Sequence, residues 1–139
     1  MKWRRALLTD AGLLARMNAD LIRDEGHSNP MTVEQLEDRM RGWLQGEYSA
    51  VLFEADDQIV AYALYRDNEG RGIYLRQFFV LGALRRRGLG RQSIAILKTD
   101  VLEKGTRITV DVLTGNPRAL TFWRAVGFAD YALTLDLST

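Results

Sequence analysis

The 139-residue sequence has no cysteine and a single histidine, His27. Without cysteine there is neither a disulfide nor a thiolate nucleophile. One imidazole excludes a multi-histidine metal site, and the carboxylates show no cluster of the kind a hard cation requires, so no metal is expected. An excess of one charge is missing too. Nineteen Lys and Arg stand against 18 Asp and Glu, a net charge of +1. No global field therefore draws the chain to nucleic acid, and any positive potential must be local. No apolar run approaches the roughly 18–20 residues that cross a bilayer. The opening MKWRRALLTD lacks the apolar core of a signal peptide. These absences lead to the expectation of a cytoplasmic protein that engages neither membrane nor nucleic acid.

What is present is ordinary for a globular chain. Apolar residues make up 47% and charged residues 27%, enough for one domain over residues 1–139 with its own core. Residues 2–8 read as a strand. Thr9 or Asp10 caps a helix carrying Leu13, Leu14, Met17 and Leu21 on one face, which runs out near Gly26-His27-Ser28-Asn29-Pro30. Thr32 and Gln35 form a capping box for a second helix, closed by Gly46. Strands 50–55 and 58–65 flank Asp56-Asp57 as a hairpin, and a third covers 73–80. A helix spans about residues 88–103, and 107–113 is a strand with Ile108, Val110 and Val112 on one face. Asn116 with Pro117 opens a last helix that Gly127 ends, and 128–137 reads as a final strand. The order is β-α-α-β-β-β-α-β-α-β, an α/β (α+β) fold with a mixed central sheet flanked by helices.

The chemistry concentrates in FFVLGALRRRGLGRQS, residues 78–93. Gly88 and Gly90 permit backbone shapes that side chains forbid and let a ligand approach the main chain. The helix start behind them carries unpaired N–H groups and a partial positive charge, a good seat for phosphate. Arg85, Arg86, Arg87 and Arg91 add full charges whose planar forks suit phosphate oxygens. Such crowding of like charge at a helix N-terminus costs stability unless an anion offsets it. The reading is a cradle for a di- or polyphosphate. It is not a Walker A loop, because no Lys-Ser/Thr follows the glycine. A dinucleotide fingerprint using GLGRQS with Asp111 is closer. Seven residues between Val80 and Gly88 are too many for its tight turn, and one further β-α-β unit is too little for its two-lobed fold.

Arg85-x-x-Gly88-x-Gly90, set between the strand FFV and a helix, resembles the acetyl-CoA motif Q/R-x-x-G-x-G/A of the GNAT superfamily of N-acetyltransferases. NPRALTFWRAVGF, residues 116–128, is similar to that family's second signature, and the element order matches along nearly the whole chain. The resemblance implies that main-chain groups of Phe78, Phe79 and Val80 pair with the pantetheine arm of acetyl-CoA as an added strand. It implies that the segment Arg86, Arg87, Gly88, Leu89, Gly90 and Arg91 wraps the pyrophosphate, chiefly through N–H groups. Asn116 would contact the cofactor near its reactive end, although an Asn before Pro is also a complete N-cap by itself.

The implied reaction is attack of a neutral amine of a small molecule or peptide on the thioester, with the Val80 N–H meeting the oxyanion. The amine must first lose a proton. Glu25 and His27, in the break between the first two helices, are the base candidates. Gln77 stands where some relatives have a carboxylate, and an amide cannot accept the proton. Asp111 is as well placed to pair with an arginine. Where many relatives carry a tyrosine that protonates the departing thiolate, this chain has Trp123, whose indole is no practical acid. Tyr131 from the last strand, or water, would replace it. Tyr65 and Tyr74 would line the pocket or simply pack. Arg76 and Arg66 favour an acidic acceptor, and Asp24 and Glu25 argue the other way. The absence of a convincing acid and base keeps a non-catalytic acyl-CoA-binding module open as the alternative. Strand edges near the C-terminus allow a homodimer.

Overall fold

The computed structural model describes residues 1–26 and 28–139, so the expectation about His27 lies outside the described residues. The strands are β1 (Lys2–Arg5), β2 (Tyr48–Ala55), β3 (Gln58–Asp67), β4 (Ile73–Val80) and β5 (Ile108–Thr109). They lie side by side in chain order, antiparallel except for the parallel β4–β5 pair. The helices are α1 (Ala11–Asp24), α2 (Val33–Gln45), α3 (Leu89–Ile96, extended by a π turn Leu97–Val101) and α4 (Pro117–Ala125).

The apolar runs AVLF and VAYALY make β2 and β3 the buried centre, because both faces of the sheet are covered. Ala50, Leu52, Tyr62, Leu64 and Phe79 meet Leu14 and Met17 of α1 and Met40 of α2. Val51, Phe53, Ala63, Tyr65 and Leu75 face Ile94 of α3 and Leu97 behind it. The turn between β2 and β3 sets both Asp56 and Asp57 at positive φ, 52° and 62°, the backbone that a two-residue hairpin favours. Thr32 Oγ1 accepts from the Gln35 N–H at 3.1 Å while Gln35 Oε1 accepts from the Thr32 N–H at 2.9 Å, the expected capping box. Asp10 precedes α1 but does not cap it forwards. Its carboxylate accepts from the Leu7 N–H at 2.7 Å and takes both ends of the Arg4 guanidinium at 2.9 Å.

Two expectations are corrected. The strand predicted over 107–113 pairs only at Ile108 and Thr109. The final strand predicted over 128–137 does not form, and Tyr131, Leu133, Leu135 and Leu137 are exposed. Alternating apolar residues do not make a strand unless main-chain groups find partners. Here residues 110–114 and 127–134 line a cavity of about 920 Å³ instead of pairing across it. No helix among the described residues is long and apolar enough to cross a membrane.

Candidate active site

The site begins where β4 and β5 part. They pair at Ile73–Ile108 and Tyr74–Thr109 only, yet β4 stays bonded to β3 up to Val80. The other edge of β4, residues 75–80, is thereby left open. A cleft of about 520 Å³ lies along it, lined by all six of those residues, by residues 110–113 beyond β5, and by Asn116, Phe122 and Trp123. At its end the Leu81 N–H donates to the Val60 carbonyl at 2.9 Å. Strand alternation then turns the N–H and C=O of Val80 to the opposite edge, toward the cleft.

The glycine-rich loop closes that end. Gly88 sits at φ 75° as the N-cap of α3, with no side chain capping the helix. A Cβ at Gly88 would meet nothing nearer than the flexible Gln92 amide at 4.0 Å, so its requirement is the left-handed backbone. Gly90 is different. A Cβ there would come within 3.0 Å of the Phe122 ring and 3.6 Å of Val80, so its absence lets α3 pack against α4 beside the strand end. Arg86 is also held at positive φ, 68°, a strained backbone of the kind that gathers at ligand loops. Gly88, Arg86 and Arg87 are exposed. Together these residues fit a polyanion: N–H groups at a helix start, the Arg86 and Arg87 guanidinium groups beside them with no ion pair among the described residues, and backbone bends that keep bulk away.

The remaining predicted residues divide. Arg85 is already engaged: its Nε donates to the Val80 carbonyl at 3.2 Å, its guanidinium pairs with Asp24, and its Cζ lies 5.4 Å from the Phe79 ring centre. Arg91 lines the cleft and donates to the Ala125 carbonyl at 3.4 Å. Asn116 Oδ1 accepts from the Ala119 N–H at 3.2 Å, the N-cap of α4, which leaves its Nδ2 donors for a ligand. Glu25 lines the cleft near Asp24. Tyr131 does not line it. That ring is exposed beneath Arg107, whose Cζ is 4.4 Å from its centre, beside the larger cavity. The expected delivery of its hydroxyl depended on the final strand, which is absent. Trp123 packs edge-on against Phe78, Phe122 and Phe128 at 5.0–5.6 Å and forms part of the cleft wall.

A bulge shapes the acceptor side. Leu64 opposes Gln77 and Tyr65 opposes Leu75, so Arg76 is the extra residue of β4. Such a bulge re-aims side chains. It lets consecutive Arg76 and Gln77 both face α1 and α2. Gln77 Oε1 accepts from the Tyr62 hydroxyl at 2.9 Å, and Arg76 reaches Trp43 and Tyr48. Burial pushes the Tyr62 phenol well up, with the Glu25 carboxylate adding to the shift. Burial, then the bond to Asp111 at 3.0 Å, pushes the Tyr74 phenol up to about 12. Neither phenol is an acid near neutrality. Sequence reading did not reach Arg39 and Trp43. Their signal was the four-residue spacing on α2, which stacks a guanidinium on an indole at 4.4 Å.

A profile of the Acetyltransferase (GNAT) family matches residues 16–128. The chain belongs to this acetyltransferase family. Among solved structures, a probable acetyltransferase superposes with a TM-score of 0.78 at 19% identity, covering 100% of this chain and 99% of the other. The aminoglycoside N-acetyltransferase AAC(6')-Iy in complex with CoA reaches 0.77 at 18%, covering 99% and 93%. A possible acetyltransferase from Clostridium difficile 630 reaches 0.76 at 17%, covering 99% and 97%. At these identities the likeness is one of fold. A search of curated protein sequences finds no match.

Proposed function

We propose that the protein is an N-acetyltransferase that moves an acetyl group from acetyl-CoA to a primary amine of a small molecule or peptide. The observation that carries this is the open edge of β4 along a cleft that ends on the N-terminus of α3, with exposed Arg86 on its lining and exposed Arg87 next to it in the loop. A pantetheine-like arm would add to that edge as a strand does, through main-chain groups of Phe78 and Val80, since those of the intervening Phe79 are turned to β3. The pyrophosphate would take the N–H groups of residues 88–91 and the guanidinium groups of Arg86, Arg87 and Arg91. Asn116 Nδ2 would donate near the reactive end.

When bound, acetyl-CoA supplies the thioester carbonyl and a leaving thiolate. The chain's own residues do the rest. The Val80 N–H, turned into the cleft, donates to the oxygen where negative charge develops. Glu25, lining the cleft, takes the proton from the acceptor's ammonium directly or through water, and the neutral amine then attacks the thioester carbon. An alkyl ammonium has a pKa near roughly 10.4, so the base is required. A thiolate needs protonation less, its reference value being about 8.5, and water suffices where Trp123 stands. AAC(6')-Iy has also been solved with a bisubstrate analogue of CoA and an acetylated neamine, which supports a small-molecule amine as acceptor.

The test is release of free thiol from acetyl-CoA across a panel of amines. Gly88→Asp should abolish CoA binding, since it puts bulk and negative charge in the loop; unchanged CoA affinity would remove the site from residues 85–91. A second reading, an acyl-CoA-binding module without turnover, is favoured by Trp123 in the aromatic wall. It predicts strong thermal stabilisation by CoA with no thiol release from any amine. Stabilisation by NAD and not by CoA would overturn both readings.

A further inference from the structure

Behind the side of the cleft that faces α1 and α2 three arginines gather, of which Arg76 reaches the cleft lining. Arg39 and Arg76 both lie over the Trp43 ring, Cζ to centroid 4.4 and 4.8 Å. Arg76 and Arg66 both donate to the Tyr48 hydroxyl, at 3.2 and 3.3 Å. Arg66 also lies 5.3 Å from the Tyr74 ring centre. Among the described residues, none of these three guanidinium groups makes an ion pair. Aromatic faces and neutral oxygens contact them, and the Glu47 carboxylate acts on Arg66 without forming an ion pair. Arg39 donates to Asn18 Oδ1 at 3.1 Å, while Arg39 Nε and Asn18 Nδ2 are buried without an acceptor. Burial and the nearby Arg76 charge both act against the charged form of Arg39. Three like charges gathered behind one wall are a cost that an anion at Arg76 would offset.

Of the two acids that argued for a cationic acceptor, Asp24 pairs with Arg85, while Glu25 remains on the cleft lining. The β4 bulge brings Arg76, alone of the three arginines, to the cleft lining beside Gln77, with Glu25 lining the same cleft.

We infer that the acceptor is an amine that also carries a carboxylate, with Arg76 as the residue that binds the carboxylate and selects it over a neutral or polycationic amine. This rests on the transferase reading and narrows it. Stacking on Trp43 and the bond to Tyr48 hold the Arg76 side chain in place, so little rotamer freedom is lost on binding. Arg39 and Arg66 reinforce the field from behind and leave the bidentate contact to Arg76.

The experiment is thiol release from acetyl-CoA with matched amines: glycine, β-alanine and 4-aminobutyrate, the corresponding amides, and a polycationic aminoglycoside. A charge-assisted hydrogen bond of about 1.5–3 kcal/mol predicts an acid-over-amide preference in kcat/KM of roughly tenfold to a hundredfold at the spacer length that fits. That preference should fall toward one in Arg76→Gln, recover in part in Arg76→Lys, and shrink at high salt. Arg66→Gln, which does not disturb the bulge, should lower it less. Amides turned over as well as acids, or the aminoglycoside turned over best, would overturn the inference and leave the transferase standing. If no amine is turned over, the same pairs are compared as thermal-shift ligands with CoA present. Greater stabilisation by the acids supports the carboxylate site, and equal shifts overturn it.

Discussion

The two halves of the molecule are built differently. Up to Leu97 the chain forms a two-sided core in which residues 50–53 and 60–65 are all buried. After Leu97 no described residue is buried, α4 included. The first half buries side chains on both faces of a well-bonded sheet, which is where hydrophobic stabilisation accumulates. The second half is held by an aromatic cluster, Phe78 and Phe122 stacked at 5.9 Å with Trp123 and Phe128 against them. The cleft lies on the seam. Its rigid wall is β4, and its other wall is the less packed region beyond β5. The contrast teaches that the core fixes the geometry of one wall of the cleft, while its opening comes from strands that stop pairing.

Predictions can break this contrast or sharpen it. The largest effect is expected from Leu64→Ala. Leu64 is wholly buried in the first half, and the cavity left behind should cost about 2–5 kcal/mol in chemical denaturation. A cost near zero would mean the core is not where burial locates it. Next, Gly90→Val would drive a side chain into Phe122. About 1–3 kcal/mol of overpacking is expected, together with a weakened CoA-induced thermal shift, because α3 would be levered off the seam. Retained CoA binding would separate the loop from the packing beneath it.

A smaller effect, of about 1 kcal/mol, is expected from Asp10→Ala, which removes the acceptor for Leu7 and the partner of Arg4. The hydrogen bond from Arg4, reinforced by that from Leu7, holds the Asp10 carboxyl below its ordinary 3.8. Its contribution is therefore full above pH 3.8 and lost as pH falls through the lower folded value. The gap between wild type and variant should be constant near neutrality and close in strong acid. A gap that widens on acidification would contradict the sign. The smallest effect is that of Tyr131→Phe. With the ring outside the cleft, turnover should stay within about twofold, whereas an acid in general catalysis would lose about 10²–10⁴-fold.

Much of this was legible in the residues. The capping box at Thr32, the hairpin at Asp56-Asp57 and the start of α4 at Asn116 are local devices, so local sequence specifies them. The glycine and arginine loop was legible for the same reason. The final strand was misread because alternation in residues 129–137 describes a face and not a partner. Arg85 was expected at a phosphate and instead ties Val80 to Asp24, a contact between segments 61 residues apart that no local pattern encodes.

By itself the sequence determined most of the elements and their order, the apolar centre and the glycine-rich turn that opens α3, because each depends on neighbours within a few positions. Only the tertiary structure decided that β4 and β5 separate after two residue pairs, that a bulge brings Arg76 and Gln77 to one side, and that Arg39, Trp43 and Tyr48 gather behind them. Those features depend on distant segments meeting, and one-residue changes in strand register, invisible in composition or spacing, reverse which side chains face the cleft.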